Sequence, residues 1–128
     1  MVSPSGVARV CPGGELAITC STNRSFIQWN ITASQSFPLL GVPYRTRLIS
    51  AGQAVVDPLV LNMVTFDFSH SILMNGSSVS LVSVLSVIDV PDILNGTIVN
   101  CTDIGASRAE TNTEIVAVHI IQMADLGE

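Results

Sequence analysis

The chain has 128 residues, which is enough for one domain with a sizeable core and too few for two. Apolar residues make up 48% of it and charged residues only 12%, a balance that argues against intrinsic disorder. The net charge is −5 and lysine is absent, which argues against nucleic acid or an anionic membrane surface as a partner.

No segment approaches the roughly 20 apolar residues of a membrane-spanning helix, so we expect membrane attachment only through a parent chain. The beginning, MVSPSGVARV, lacks the apolar core of a signal peptide, and the end, LGE, is abrupt. We therefore expect 1–128 to be a single domain, with its core at about 7–122, excised from a longer ectodomain.

Alternation of apolar and polar residues with a period of two recurs along the chain, whereas helical spacing is not sustained anywhere. The predicted strands are, in chain order, 7–11, 15–21, 26–32, 44–50, 62–70, 79–88, 97–103 and 114–122. Proline and glycine interrupt 33–61, and Asn75-Gly76 is a strong hairpin signal. Short strands joined by turns predict an antiparallel sandwich or barrel.

The chain has three cysteines, Cys11, Cys20 and Cys101. The order Cys20, then Trp29, then LSVIDVPDILNGTIVNCTD (85–103) resembles the immunoglobulin superfamily. That resemblance implies an all-β fold, a two-sheet antiparallel immunoglobulin-like β-sandwich with Greek-key connections. It also implies one core disulfide, Cys20 to Cys101, with Trp29 packed against it. The segments CPGGELAIT and LNGT are similar to immunoglobulin-like ectodomains of surface receptors in early-branching invertebrates.

The sequence departs from the family pattern in two places and leaves one cysteine over. Val99 stands where the family has a tyrosine, and Asn95 where it has an acidic residue. The separation of the implied pair suggests a variable or intermediate type of domain. Cys11, beside a Pro-Gly-Gly turn, then has three readings: a half-buried thiol, a bridge to a partner or neighbouring domain, or a covalent homodimer link.

Five N-x-Ser/Thr sequons use five of the seven asparagines: Asn23, Asn30, Asn75, Asn95 and Asn100. They predict a glycosylated extracellular chain, a setting that also permits disulfides. The alternative is that these residue types are merely enriched in turns and strand edges. Cys101 at the middle position makes Asn100 the weakest acceptor.

The sequence predicts no catalytic residue, no cofactor and no metal site. His70 and His119 lie on predicted strands without zinc-like spacing, and no activated serine or phosphate-binding motif is present. Asp89 and Asp92 could suggest calcium, but a solvated turn fits them better because calcium needs several oxygens on one loop.

Two regions are candidates for partner contact. Within the resemblance, Asn30 and Asn100 share the face on which immunoglobulin domains often pair, so glycans there would direct contact elsewhere. One candidate is the loop end, with Arg24 in the loop after the second strand and Arg108 and Glu110 in the loop at 104–113. The other is the outward phase of two strands, comprising Val82, Val84, Val116, Val118 and Ile120.

The expected function is therefore that of an extracellular immunoglobulin-like module for protein recognition or cell adhesion in a surface receptor. Its partner would be a protein ligand or a second copy, which makes a homodimer one expected state. The alternatives are a structural spacer within a multidomain ectodomain and a small secreted effector.

Overall fold

The computed structural model describes residues 1–107 and 111–122, and over these residues the fold is all-β. Apart from a 3₁₀ turn at Asp92–Leu94, its regular elements are ten strands. The strands are β1 (Val2–Ser3), β2 (Gly6–Val10), β3 (Leu16–Thr22), β4 (Phe26–Thr32), β5 (Tyr44–Ser50), β6 (Leu59–Leu61), β7 (Val64–Asn75), β8 (Ser78–Val87), β9 (Ile98–Ile104) and β10 (Thr111–Ile120).

The strands form two five-stranded sheets that pack against each other as a β-sandwich. The back sheet has the order β1-β3-β8-β7-β6, and the front sheet has the order β2-β10-β9-β4-β5. All pairings are antiparallel except that of β2 with β10, which is parallel. The chain crosses between the sheets early, so that β1 borders β3 while β2 borders β10.

Alternating side chains of the strands build the core, as the period-two pattern predicts. On β4, Ile27, Trp29 and Ile31 are buried while the residues between them are half-buried. The same alternation buries Leu16, Ile18 and Cys20 on β3, Val64, Phe66 and Phe68 on β7, and Val99 and Cys101 on β9. The inward phase of each of these strands is the one that the sequence indicates.

Cys20 and Cys101 form a disulfide between β3 and β9, with their Cα atoms 6.5 Å apart. The predicted pairing is thereby confirmed, and Trp29 lies beside Cys101 as its direct cross-strand neighbour. A bridge that closes a loop with a sequence separation of 81 stabilises the fold by about 4–5 kcal/mol in the chain-entropy treatment.

Next to the disulfide, a chain of two hydrogen bonds also connects the front sheet to the back sheet. The Trp29 indole Nε1–H donates to Ser83 Oγ at 2.9 Å, and that hydroxyl donates to the Ser69 carbonyl at 2.9 Å. Ser83 is completely buried and is the cross-strand neighbour of Cys20. Two adjacent connections, one covalent and one hydrogen-bonded, therefore hold the sheets in a single register.

The segment 33–61, in which the sequence predicts only the strand at 44–50, also contributes to the core. Part of this contribution comes from the irregular backbone at 33–43. Phe37 is fully buried and meets Phe66 at a ring-centroid distance of 6.0 Å. On β5, Arg47 places its guanidinium carbon 5.8 Å from the centre of the Phe68 ring, a cation–π contact at the open edge between the sheets.

Strand existence was predicted better than strand limits. The strands at 26–32 and 44–50 are confirmed as β4 and β5, the end of β7 lies five residues beyond its predicted limit, and the other limits shift by one to three residues. The prediction missed the short β1 and β6, and it began β7 at Asn62, which lies in a turn with Met63. The predicted hairpin is confirmed, with Asn75 paired to Ser78 and Gly76 at the turn with a φ of 65°.

Replacing Ser83 with alanine removes the acceptor for the buried indole N–H, so we expect Ser83→Ala to lower the free energy of unfolding by about 1–3 kcal/mol. Ser86→Ala, on the same strand but half-buried on the outward phase, should change it by less than about 0.5 kcal/mol. Urea unfolding of both variants measures the difference. Equal stability of the two variants would contradict a structural role for the Trp29–Ser83 hydrogen bond.

Candidate recognition surface

The five sequon asparagines lie at the two ends of the sandwich and on the outer side of the front sheet. Asn23 is exposed in the turn between β3 and β4, and Asn75 ends β7 at the hairpin tip. Asn95 follows the 3₁₀ turn at the opposite end, where its Oδ1 accepts a hydrogen bond from the Ile120 N–H at 2.8 Å. Asn30 and Asn100 are directly paired between β4 and β9.

The outer side of the front sheet, which we call the front face, is defined by the outward residues of β4, β5, β9 and β10. At its margins Tyr44, Leu48 and Ile115 are exposed apolar side chains. A shallow cavity of about 300 Å³ lies at one end, lined by Phe26, Gln28, Thr46, Leu48 and Ile104. The paired asparagines thus lie at the centre of a surface that is mostly apolar and hydroxyl-bearing, with Gln28 and His119 also on it.

Arg24, in the loop between β3 and β4, forms an ion pair with the buried Asp103 of β9. The Asp103 carboxylate is buried; its Oδ2 accepts a hydrogen bond from Thr22 Oγ1 at 3.0 Å, and its Oδ1 lies 3.4 Å from Arg24 Nε. Thr22 Oγ1 also accepts a hydrogen bond from the Arg24 backbone N–H at 3.0 Å. Arg24 is therefore engaged within the domain, whereas the other two predicted loop contacts, Arg108 and Glu110, lie outside the described residues.

The prediction that Val116 and Val118 face solvent is wrong. Both side chains are buried, as is Ile120, because β10 pairs with β9 so that Val116 lies opposite the inward-facing Val99. The residues on the outward phase of β10 are Ile115, Ala117 and His119. The sequence misled because β10 is apolar on both phases, so alternation alone cannot say which phase is buried.

Val82 and Val84 are half-buried on the outer side of the back sheet, which we call the back face. On β3, β8 and the first part of β7 its other residues are, apart from Asp67, small or hydroxyl-bearing: Ala17, Thr19, Ser21, Thr65, Asp67, Ser69, Ser71 and Ser86. The exposed Val60 of the edge strand β6 pairs with Thr65 and borders these residues. Among these ten residues Asp67 is the one that bears a charge, and none belongs to a sequon. The back face is thus a nearly uncharged surface that predicted glycans leave open.

The β7–β8 hairpin projects beyond the end of β3, and among its exposed apolar residues Leu73 is the one on the outward phase. The last residue of β3, Thr22, pairs with Leu81, and the hairpin continues for three further cross-strand pairs. Four large apolar side chains on it are exposed: Ile72, Leu73, Met74 and Val79. The sequence analysis missed this projection because it ended the strand at 70, although the apolar run after His70 signals it.

Another exposed apolar group lies at the opposite end of the domain. Met63 is 97% exposed at the β6–β7 turn and lines a cavity of about 580 Å³ with Ile88, Asp89, Ile93 and others. Asn62, Met63 and Asp89 all have positive φ, which is unusual for residues other than glycine. Strained backbone therefore concentrates at this end.

Cys11 is a free, exposed thiol, so the reading as a half-buried thiol is wrong. It follows β2 directly, and its carbonyl accepts a hydrogen bond from the Gly14 N–H within the Pro-Gly-Gly turn. The two readings that involve a bridge to another chain or domain both need this exposure.

Asp103 and Ser83 are the polar residues whose importance the sequence analysis missed. Each sits on the inward phase of a strand, where a polar residue requires a hydrogen-bond partner. The sequence did contain a signal for Asp103: it continues the alternation of Val99 and Cys101, which marks it as an inward-facing residue of β9.

The described residues offer neither a candidate metal site nor a helix that could span a membrane. They contain no group of three or more histidine, cysteine, aspartate or glutamate residues placed to hold a metal ion. Nor does the described part of the fold include a helix long and apolar enough to cross a membrane.

The chain matches no protein-family model and no curated protein sequence. A functional interpretation therefore depends on the fold and on the surfaces described above.

We expect Asp103→Asn to lower the free energy of unfolding by about 1–3 kcal/mol, since it removes the buried charge that faces Arg24 and weakens the bond from Thr22. Asp67→Ala, which removes an exposed carboxylate on the back face without creating a sequon before Ser69, should change stability by less than about 0.5 kcal/mol. Thermal unfolding of the two variants tests this. A stability of Asp103→Asn within the range of the control would show that the cluster is not stabilising.

Cys11 should react with Ellman's reagent in the native state, giving one equivalent per chain, because it is the exposed free thiol. The count should stay the same after unfolding without reductant, since Cys20 and Cys101 are bonded to each other. Cys11→Ser should give no reaction. A native protein that fails to react and runs as a dimer on a non-reducing gel would instead support the inter-chain bridge.

Proposed function

We propose that this chain is an immunoglobulin-like module of an extracellular protein that acts in recognition or adhesion, by protein contact and without catalysis. We further propose that the back face makes the contact and that a second copy of the domain is its partner. The observation that carries the proposal is the uneven placement of sequons: two lie on the front face and three at the ends, with Asn75 at the tip of the β7–β8 hairpin, and none lies among the ten residues of the back face.

The strand arrangement supports an immunoglobulin-like fold. Such a sandwich pairs its second, fifth and fourth strands in one sheet and its third, sixth and seventh in the other. Here the order β3-β8-β7 faces the order β4-β9-β10, which corresponds to that arrangement once the short β1 and β2 and the edge strands β5 and β6 are set apart. The disulfide joins the strands that the family joins, and Trp29 adjoins it.

The disulfide and the sequons support an extracellular setting. Disulfides persist in oxidising compartments, and N-glycosylation occurs on secreted chains. The chance explanation for the sequons, enrichment of asparagine in turns, accounts poorly for Asn30 and Asn100, because both lie within strands.

The chemistry of the back face favours a second copy over a charged partner. Two copies with a net charge of −5 repel each other least where they meet through uncharged surface, and Asp67 is the one charge there. Val82 and Val84 lie on the central strand β8, so an isologous contact brings the same two side chains of both copies together.

The size of the back face predicts weak association. Three strands by about seven residues measure about 15 Å by 23 Å, or roughly 350 Å² per partner from strand spacings. Both partners together then bury roughly 700 Å², below the range of stable complexes at about 1,200–2,000 Å². Such contacts become effective when many copies act together, as on a cell surface.

Val84→Asn tests the back face with a single substitution, because the new asparagine precedes Leu85 and Ser86 and so completes a sequon at the centre of the face. Animal cells that display the wild-type domain should aggregate with one another, whereas cells displaying Val84→Asn should not, since a glycan there blocks approach. The matched control, Val84→Asn with Ser86→Ala, has the same asparagine without a sequon and should retain most of the aggregation. Cell counting under the microscope, at equal surface expression, measures the effect.

Two outcomes would contradict the proposal. Aggregation that survives the glycan at position 84 would show that contact uses another surface, the apolar front face being the next candidate. Absence of aggregation for the wild-type domain would contradict contact between copies and favour the spacer function, for which no free face is needed.

A further inference from the structure

We infer that Asn30 and Asn100 act as one glycan site: a folded chain bears a glycan on one of them but not on both, and Asn30 is the preferred acceptor. This inference rests on the extracellular setting of the proposed function, because glycosylation takes place in that secretory route. The sequence alone shows two separate sequons, whereas the inference is that a glycan on one of them excludes a glycan on the other.

The register of β4 and β9 brings the two acceptors together. Asn30 pairs directly with Asn100, although 70 residues separate them in the chain. Directly opposed residues have Cβ atoms about 4.5–5.5 Å apart and lie on the same side of the sheet. Both side chains are half-buried, and the Oδ1 atom of each is buried without a hydrogen-bond partner. The two amides therefore lie close against the sheet and against their neighbours.

Neighbouring strands leave little room for the amides to spread apart. Thr46 of β5 flanks Asn30 on its other side, and Ile115 of β10 flanks Asn100. A glycan is bulky, and a sugar ring with its substituents is at least as wide as the spacing of two opposed Cβ atoms. Two glycans attached here would compete for the same space above the sheet and strain the β4–β9 pairing.

Crowding between the two glycans would arise when the chain folds, after the glycans have been transferred. The Asn Nδ2 displaces the pyrophosphate of a lipid-linked oligosaccharide: the bond from Nδ2 to the sugar C1 forms, the C1–O bond breaks, the amide loses one proton and the lipid pyrophosphate leaves. The step involves no oxidation or reduction. Because transfer occurs on the extended chain, both acceptors can react before folding, and the doubly modified chains are the ones that should fail to fold.

The disulfide favours Asn30 over Asn100. Asn30 is synthesised first, whereas Asn100 directly precedes Cys101, whose bond to Cys20 fixes the middle residue of that sequon. Asn100 therefore has to react before the bridge forms. Asn30 has no cysteine in its sequon, Asn30-Ile31-Thr32, and is under no such limit.

The test uses a chain in which the other three sequons are removed at their third residue: Ser25→Ala, Ser77→Ala and Thr97→Val. Ser25 and Ser77 are exposed, and Thr97 is fully buried with an unpartnered hydroxyl, so valine suits its site. This design keeps the hydrogen bond that Asn95 accepts from Ile120. The parent variant is secreted from animal cells, and its intact mass is measured before and after enzymatic deglycosylation.

The expected result is that secreted chains have one glycan and that doubly modified chains remain in the cell lysate. Adding Thr102→Val, which destroys the Asn100 sequon, should leave the secreted mass unchanged. Adding Thr32→Val, which destroys the Asn30 sequon, should shift the glycan to Asn100 or leave the chain unmodified. The same variants refolded without glycans should show parental unfolding curves, so that loss of secretion is not mistaken for loss of stability.

Secreted chains with two glycans as a main species would overturn the inference, as would secreted chains with none on either residue. A secreted mass that falls with Thr102→Val but not with Thr32→Val would overturn the preference for Asn30. Failure of the proposed function is distinguishable: in that case the unaltered chain would be unglycosylated at the exposed Asn23 as well, or its cells would not aggregate.

Discussion

The hydrogen bond between the Trp29 indole and the Ser83 hydroxyl sets the relation between the two sheets, together with the disulfide beside it. Trp29 neighbours Cys101 in the front sheet, and Ser83 neighbours Cys20 in the back sheet. A tryptophan N–H and a serine hydroxyl in a core are costly unless they bind each other or another polar group. Each of the four residues lies on a different strand, so slipping any one of these strands by one residue would break the connection that it carries and turn that strand's core side chains to solvent.

That constraint also decides what each outer surface contains. Once Trp29 and Cys101 point inward, the residues between the core positions point outward, which brings Asn30 and Asn100 together on the front face. In the same way Cys20 and Ser83 facing inward leave Val82 and Val84 outward on the back face. The difference between a surface with two glycan acceptors and one with none is therefore a consequence of core register.

The sequence predicted the inward phase wherever one phase was polar, and it failed where both were apolar. On β4, Gln28 and Asn30 mark the outward phase, so the buried positions could be read directly. On β10, Val116, Val118 and Ile120 occupy one phase and Ile115 and Ala117 the other, so both contain apolar residues, and the choice is made by pairing with β9, which a sequence does not display. The disulfide came from resemblance to a family, whereas the Asp103 cluster and the direct pairing of Asn30 with Asn100 depend on contacts between distant segments.

The two faces of the sandwich also differ in how much apolar surface they expose. The front face exposes Tyr44, Leu48 and Ile115 around the asparagine pair, an apolar surface of the kind that promotes association when it is left bare. In the proposed glycosylated state, a single glycan on the asparagine pair would stand between these three side chains. The centre of the back face has Val82 and Val84 as its large apolar side chains, both half-buried, whereas the exposed Val60 and Leu73 lie at its margins. Under the proposed function, a glycan would cover the more apolar front face and leave the back face free for contact, an arrangement that suits contacts that are weak one at a time and stable only in large numbers.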